Sequence, residues 1–207
     1  MASEDGRYRG LLIDYGGVLT TDVFASFSAF CEREGLEPDA ISRVFRENAE
    51  CRELMFGLET GAVAQELFEP PVAAVLGVRP AGLVDRLFAG TTLDERMLET
   101  VRRVRAGGIR TGLLSNSWGT TRYPRDVLAE LFDAVVISGE VGMRKPASEI
   151  YELGADGLGL APADCVFVDD LTVNLRPATE LGMATVHHRA TDDTIAQLEH
   201  LLSVSLR

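Results

Sequence analysis

Short apolar runs recur five times along the chain, at Leu11 to Asp14, Thr111 to Leu114, Ala134 to Ile137, Cys165 to Val168 and Ala184 to Val186. Each is too short for a buried helix and reads as a strand covered on both faces. Between them lie stretches with helical spacing: Leu93 to Ala106, Pro124 to Leu131, Ala147 to Leu158, Leu171 to Leu181 and Asp192 to Leu202. Buried strands alternating with helices predict an α/β fold with a parallel, doubly wound sheet.

One connection breaks the rhythm. About seventy residues follow the first strand before the next core helix, where a strand-to-helix loop usually takes about 2 to 6. Apolar positions recur there at helical spacing, among them Val23, Phe27 and Phe30, then Ile41, Val44 and Phe45, then Val63, Leu67 and Phe68, then Leu83, Val84, Leu87 and Phe88. The expectation is a small all-helical cap of four or five short helices over residues 21–91, punctuated by glycines and by Pro70-Pro71, on a core made of 1–20 and 92–207.

Open parallel sheets bind ligands beyond the carboxyl ends of their strands. Here the first strand ends in Asp14, the second in Ser115-Asn116-Ser117 and the fourth in Asp169-Asp170, while Lys145 opens the helix after the third. Carboxylates crowded at one sheet edge raise one another's pKa unless a cation sits among them. An oxygen-only set suits a hard ion, magnesium being the usual choice. Such an ion lets a carboxylate approach a phosphate, with Lys145 and the Ser115 hydroxyl holding the phosphoryl oxygens and Asp14 attacking to form an aspartyl phosphate. Lys145 is the single lysine among twenty basic residues, so its position weighs against an incidental surface charge.

Composition narrows the partners. A net charge of -12 repels polyanions, so nucleic acid is not an expected partner. Cys31, Cys51 and Cys165 are too few and too scattered for a disulfide framework or a zinc site. The polar start, Met1 to Gly10, precedes an apolar run too short for a signal sequence or membrane span, which predicts a cytoplasmic protein without a membrane partner. A monomer or homodimer is expected.

Four segments together resemble the haloacid dehalogenase superfamily. Leu11-Leu-Ile-Asp14-Tyr-Gly-Gly-Val-Leu-Thr20 is similar to its first motif, Leu113-Leu114-Ser115-Asn116 to its second and Gly142-Met143-Arg144-Lys145-Pro146 to its third. Val166-Phe167-Val168-Asp169-Asp170, followed by Asn174, is similar to the fourth. The order is right, the resemblance spans nearly the whole chain, and the cap falls where one branch carries a helical cap after the first strand of a Rossmann-like core. The resemblance implies that Asp14 is the nucleophile and that the Gly16 carbonyl, Asp169 and Asp170 serve magnesium with it. It further implies that Ser115 and Lys145 hold the phosphoryl group. Gly16, Gly17, Asn116, Ser117 and Trp118 are expected on the substrate side. The substrate would be a small phosphorylated molecule.

Phosphatases of this family usually carry a second Asp two residues after the nucleophile, and that position here is Gly16. Glycine cannot protonate a leaving alkoxide or activate water, a function that typically contributes about 10² to 10⁴-fold. Slow turnover is expected, least so for good leaving groups such as sugar 1-phosphates or acyl phosphates. Two alternatives stand beside this reading. A 2-haloacid dehalogenase tolerates Gly16 but is similar to its relatives in having neutral residues where Asp169 and Asp170 stand, and a degenerate member would bind a phosphorylated ligand without turnover. Receiver domains place the acid pair after the first strand, so their order is the reverse of this one. No Gly-Lys-Ser/Thr phosphate loop and no Gly-x-Ser-x-Gly elbow occurs. His187, His188 and His200 have no evident role, and Glu47, Arg52 and Met55 of the cap remain unassigned.

Overall fold

The computed structural model describes residues 8–206, so most of the polar start lies outside the described residues. In chain order the elements are β1 (Gly10–Ile13), α1 (Val23–Glu34), α2 (Ala40–Glu47), α3 (Ala49–Glu59), α4 (Gln65–Leu76), α5 (Leu83–Leu87), α6 (Glu95–Ala106), β2 (Arg110–Ser115), α7 (Arg125–Leu131), β3 (Ala134–Ile137), α8 (Ser138–Val141), α9 (Ser148–Gly157), β4 (Cys165–Asp169), α10 (Thr172–Glu180), β5 (Ala184–His187) and α11 (Thr191–Leu202). A single 3₁₀ turn, Pro162–Asp164, leads into β4. The five strands are all parallel in the order β3-β2-β1-β4-β5. The chain winds outward from β1 through β2 to β3 and then resumes at β4 on the other side of β1, so the switch point lies at the end of β1.

Alternate residues of a strand face opposite ways. Leu11 and Ile13 of β1 therefore join one core with residues of α6, α7 and α11, while Leu12 joins another with Ile150 and Tyr151 of α9 and Ala178 of α10. Helices thus cover both faces, which accounts for strands that are apolar without alternation.

The helices α1 to α5, in the segment expected to be a cap, have an apolar core of their own. Phe30, Phe68, Val72, Leu83, Val84 and Leu87 are fully buried in it. Asp22 starts α1 by accepting from the Phe24 and Ala25 amides at 2.7 and 3.2 Å, and Gly35 ends it in the left-handed conformation. Pro70 and Pro71, expected to break the chain, instead lie inside α4. An interior proline costs about 3 kcal/mol, but α4 buries Phe68, Val72, Ala73 and Leu76, and apolar side chains contribute about 1.5 to 3 kcal/mol each for full burial of a Val, Leu or Phe. Packing wins over propensity.

The two strands of chain that join cap and core run side by side. Thr20 and Leu93 form an antiparallel bridge, flanked by Thr21 N–H to Thr92 O at 2.8 Å and Asp94 N–H to Leu19 O at 2.9 Å. Farther along, a Cβ on Gly61 would strike the Gly139 carbonyl oxygen, so glycine permits the loop after α3 to touch the start of α8. Among the described residues, no helix is long and apolar enough to cross a membrane. Cys31, Cys51 and Cys165 are buried free thiols.

Candidate active site

The parallel register sets the ends of β1, β2 and β4 level with one another, because Ile13 sits opposite both Leu113 and Val168. Asp14 follows directly, its amide donating to Val168 O at 2.9 Å. Asp14, Asp169 and Asp170 each present one carboxylate oxygen, all within 4.8 Å of one another. This donor set contains only oxygen, at a spacing that fits one hard divalent cation.

Lys145 enters from the loop between α8 and α9, three residues before the helix it was expected to open. Its Nζ lies 2.8 Å from Asp14 Oδ1 and 2.6 Å from Asp169 Oδ2, over the Phe167 ring, and only 1% of the side chain is exposed. Its backbone is pinned as well. Lys145 N–H donates to Asn116 Oδ1 at 2.8 Å, and Asn116 Nδ2 donates to Lys145 O at 3.0 Å. Asn116 therefore fixes the ammonium-bearing loop to the end of β2.

Burial pushes the Asp14 carboxyl up to about 7, with Asp169 and Asp170 adding to the rise and Lys145 opposing it. Burial, reinforced by Asp169, likewise pushes Asp170 up to about 6. For Lys145 burial alone favours the neutral amine, but Asp14 and Asp169 outweigh it and hold the ammonium above its ordinary value. Three acids against one ammonium leave a local excess of negative charge, which a cation would relieve.

Asp169 is the most heavily bonded of the three. Asn174 Nδ2 donates to both its oxygens at 3.0 and 3.1 Å and Leu171 N–H donates to Oδ1 at 2.8 Å, in addition to Lys145. Gly17 passes beneath Asp170 with φ 75°, and a Cβ there would stand 2.6 Å from Asp170 Oδ2. Glycine suits that turn because the left-handed backbone strains any other residue.

A cavity of about 330 Å³ opens beside this cluster and is lined by Tyr15, Gly16, Ser115, Asn116 and Trp118. Ser115 Oγ is 2.9 Å from the hydroxyl of buried Tyr123, whose phenol burial holds in the protonated form. Two residues expected on the substrate side do not line the cavity. Gly17 lies under Asp170, and the Ser117 side chain is buried, accepting from Gly139 N–H at 3.1 Å while its amide donates to Ser138 Oγ at 2.8 Å. Glu47, Arg52 and Met55 also lie outside the cavity lining, where Val23, Phe88, Thr91 and Thr92 stand instead. His187 Nε2 lies 2.9 Å from the Asp170 carbonyl oxygen, and His188 bonds Thr194.

Trp118 couples this site to the cap. Its indole packs among Phe27, Phe45, Phe68 and Phe88, with ring centroids 5.5 to 5.6 Å away, and its N–H donates to Glu59 at 3.1 Å. Glu59, buried at the end of α3, also accepts from Arg144 Nε, and its carbonyl accepts from Ser138. One cap carboxylate thus grips both the Trp118 loop and the residue before Lys145. Burial raises the Glu59 pKa, with Arg144 opposing the shift. Sequence reasoning gave no role to Glu59, Tyr123 or Asn174. Only Asn174 carried a signal, standing one helical turn after the acid pair.

A doubly wound parallel sheet with three carboxylates and a buried ammonium at its switch point defines a class of α/β protein. Within that class, the profile of the haloacid dehalogenase-like hydrolases matches residues 8–182, and the chain belongs to that family of hydrolases. Bifunctional epoxide hydrolase 2 of Sus scrofa is 33% identical over 131 residues, 60% of this chain and 24% of that protein, so the chain spans about a quarter of that relative's length. Glyceraldehyde 3-phosphate phosphatase of Methanocaldococcus jannaschii is 29% identical over 93 residues, 43% of this chain and 41% of that one. In structure, a haloacid dehalogenase family enzyme from Bacteroides thetaiotaomicron, solved with magnesium and inorganic phosphate, superposes with a TM-score of 0.63 at 23% identity, covering 88% of this chain and 95% of its own.

Proposed function

We propose that this hydrolase is a magnesium-dependent phosphoric monoester hydrolase acting on a small phosphorylated molecule. Residues 1–20 and 92–207 would form its catalytic core and 21–91 its cap. The observation that carries the reading is the convergence of Asp14, Asp169, Asp170 and Lys145 at the switch point. A phosphatase among the relatives and a magnesium and phosphate complex among the structural neighbours support it.

Asp14, Asp169, Asp170 and the Gly16 carbonyl would hold the magnesium. When bound, the ion offsets repulsion between Asp14 and a phosphate dianion and polarises the phosphoryl oxygens. Lys145, already against Asp14, orients the carboxylate and neutralises a phosphoryl oxygen, while Ser115 donates to another. Asp14 attacks phosphorus, the ester P–O bond breaks, and the alkoxide leaves with a proton from solvent, because Gly16 supplies none. Water then cleaves the aspartyl phosphate, releasing phosphate and restoring the carboxylate. The acid pair separates this reading from the dehalogenase one, whose chemistry uses no cation. The buried free thiols of all three cysteines fit a reducing, cytoplasmic setting.

The test is phosphate release from acetyl phosphate and 4-nitrophenyl phosphate, with magnesium or with EDTA, by the wild type and Asp14→Asn. Release that requires magnesium and disappears in the variant is expected. Release that persists in Asp14→Asn would overturn the assignment of the nucleophile.

A further inference from the structure

Chemistry at Asp14 does not decide which phosphate ester the protein accepts; the walls around the leaving group do. The cavity beside Asp14 starts at Gly16, Ser115 and Asn116 and runs between core and cap, where its walls are Val23, Phe88, Leu93 and Trp118. Two of these come from the cap and two from the core, so closure of the two parts makes the wall.

Most of the polar groups around the cavity already have partners. Thr20 Oγ1 donates to Thr21 O and accepts from Gly17 N–H, both at 3.0 Å, and Thr91 Oγ1 donates to Phe88 O at 2.8 Å. Asn116 is paired with the Lys145 backbone, and Ser115 with Tyr123. Arg122, the one charged side chain among the lining residues, is held by Asp85 at 2.6 Å and lies over the Phe88 ring at 5.1 Å. Among the described residues, no carboxylate lines the wall to receive an amine or a row of sugar hydroxyls. A polyhydroxylated leaving group entering here would give up water for few replacement hydrogen bonds, whereas an apolar one would lose nothing and bury its surface.

We propose that the substrate is a phosphate monoester of an uncharged apolar or aromatic alcohol, seated between Phe88, Val23 and Trp118. The assignment rests on the phosphatase reading for its reaction, and it replaces sugar phosphates as the preferred class. The step is ordinary hydrolysis: the P–O bond to the alcohol breaks, water supplies the hydroxyl that ends on phosphorus, and the alcohol leaves protonated.

Benzyl phosphate and glucose 6-phosphate are both esters of primary alcohols, so comparing them isolates the wall from leaving-group chemistry. The expected result is a kcat/KM at least about tenfold higher for benzyl phosphate, the scale on which an apolar pocket discriminates, with the ratio falling several-fold in Phe88→Ser and in Val23→Ser. A ratio near one, or a preference for glucose 6-phosphate, would overturn the proposal. Binding gives an independent readout, because Trp118 is the chain's single tryptophan and lies in the wall. Benzylphosphonate, which is not hydrolysed, is expected to change Trp118 emission in the magnesium-loaded wild type at concentrations about tenfold below those of methylphosphonate. Equal affinities would overturn the apolar site whatever the activity. Tighter benzylphosphonate binding without phosphate release from any ester would instead remove the phosphatase reading and leave the apolar site in place.

Discussion

Gly16 is the position at which the site lacks a group that the proposed reaction wants. Its φ is not in the left-handed region, and a Cβ there would meet only Val23 Cγ2, at 3.2 Å, a contact relieved by a shift of a few tenths of an ångström. An aspartate is therefore compatible with the backbone and would place a carboxyl beside the leaving group. Gly16→Asp is expected to raise kcat for benzyl phosphate by about 10²-fold, within the range a positioned acid-base group contributes. Acetyl phosphate, whose leaving group needs no proton, should gain far less, and steady-state kinetics on the two substrates checks this. A uniform gain, or none, would mean that protonation of the alkoxide does not limit turnover.

At the scale of elements, cap and core are joined away from the two linking segments by the Arg122–Asp85 ion pair and by a knot of polar contacts at Glu59 on α3. Its carboxylate receives Trp118 and Arg144, and Arg144 in turn lies over the Phe56 ring at 4.2 Å. Glu59→Gln keeps the shape but removes the charge that Arg144 needs, and unmet hydrogen bonding of a buried partner costs about 1 to 3 kcal/mol. Stability in urea should fall by that amount. KM should rise several-fold while kcat changes little, because Asp14 and its neighbours on the sheet are untouched and only the wall formed by Val23, Phe88, Leu93 and Trp118 is loosened. A fall in kcat with KM unchanged would place Glu59 in the chemistry instead.

For the whole molecule, the crowded acids link stability to pH and to metal. Asp14 and Asp170 stand at about 7 and about 6 without a cation, above the ordinary carboxylate value near ~4. A carboxyl raised in this way binds its proton more tightly folded than unfolded. The stability it contributes is complete below about pH 4 and is lost as pH rises through 6 to 7. Magnesium bound among these acids would substitute for those protons, so it should raise Tm more at pH 8 than at pH 5. Calorimetry with EDTA and with magnesium chloride at both pH values measures the difference, and equal increments would show that the ion does not sit among these acids. The strands, the sheet they form and the strand-end positions of Asp14, Ser115 and Asp169 were legible in the sequence, because a buried parallel strand is a local apolar run and its last residue is local too. Lys145 was legible through its singularity, and the helices of the long insertion through their apolar spacing. The Glu59 grip, the Tyr123 partner of Ser115 and the retreat of Ser117 were not. Glu59 meets Trp118 and Arg144 across 59 and 85 residues of chain, and such meetings are fixed by how two apolar cores pack, not by any period or spacing. Local pattern determined which residues end the strands; only the tertiary packing decided what each side chain faces, because a contact between distant segments exists only once the cap's core and the sheet's cores have closed on each other.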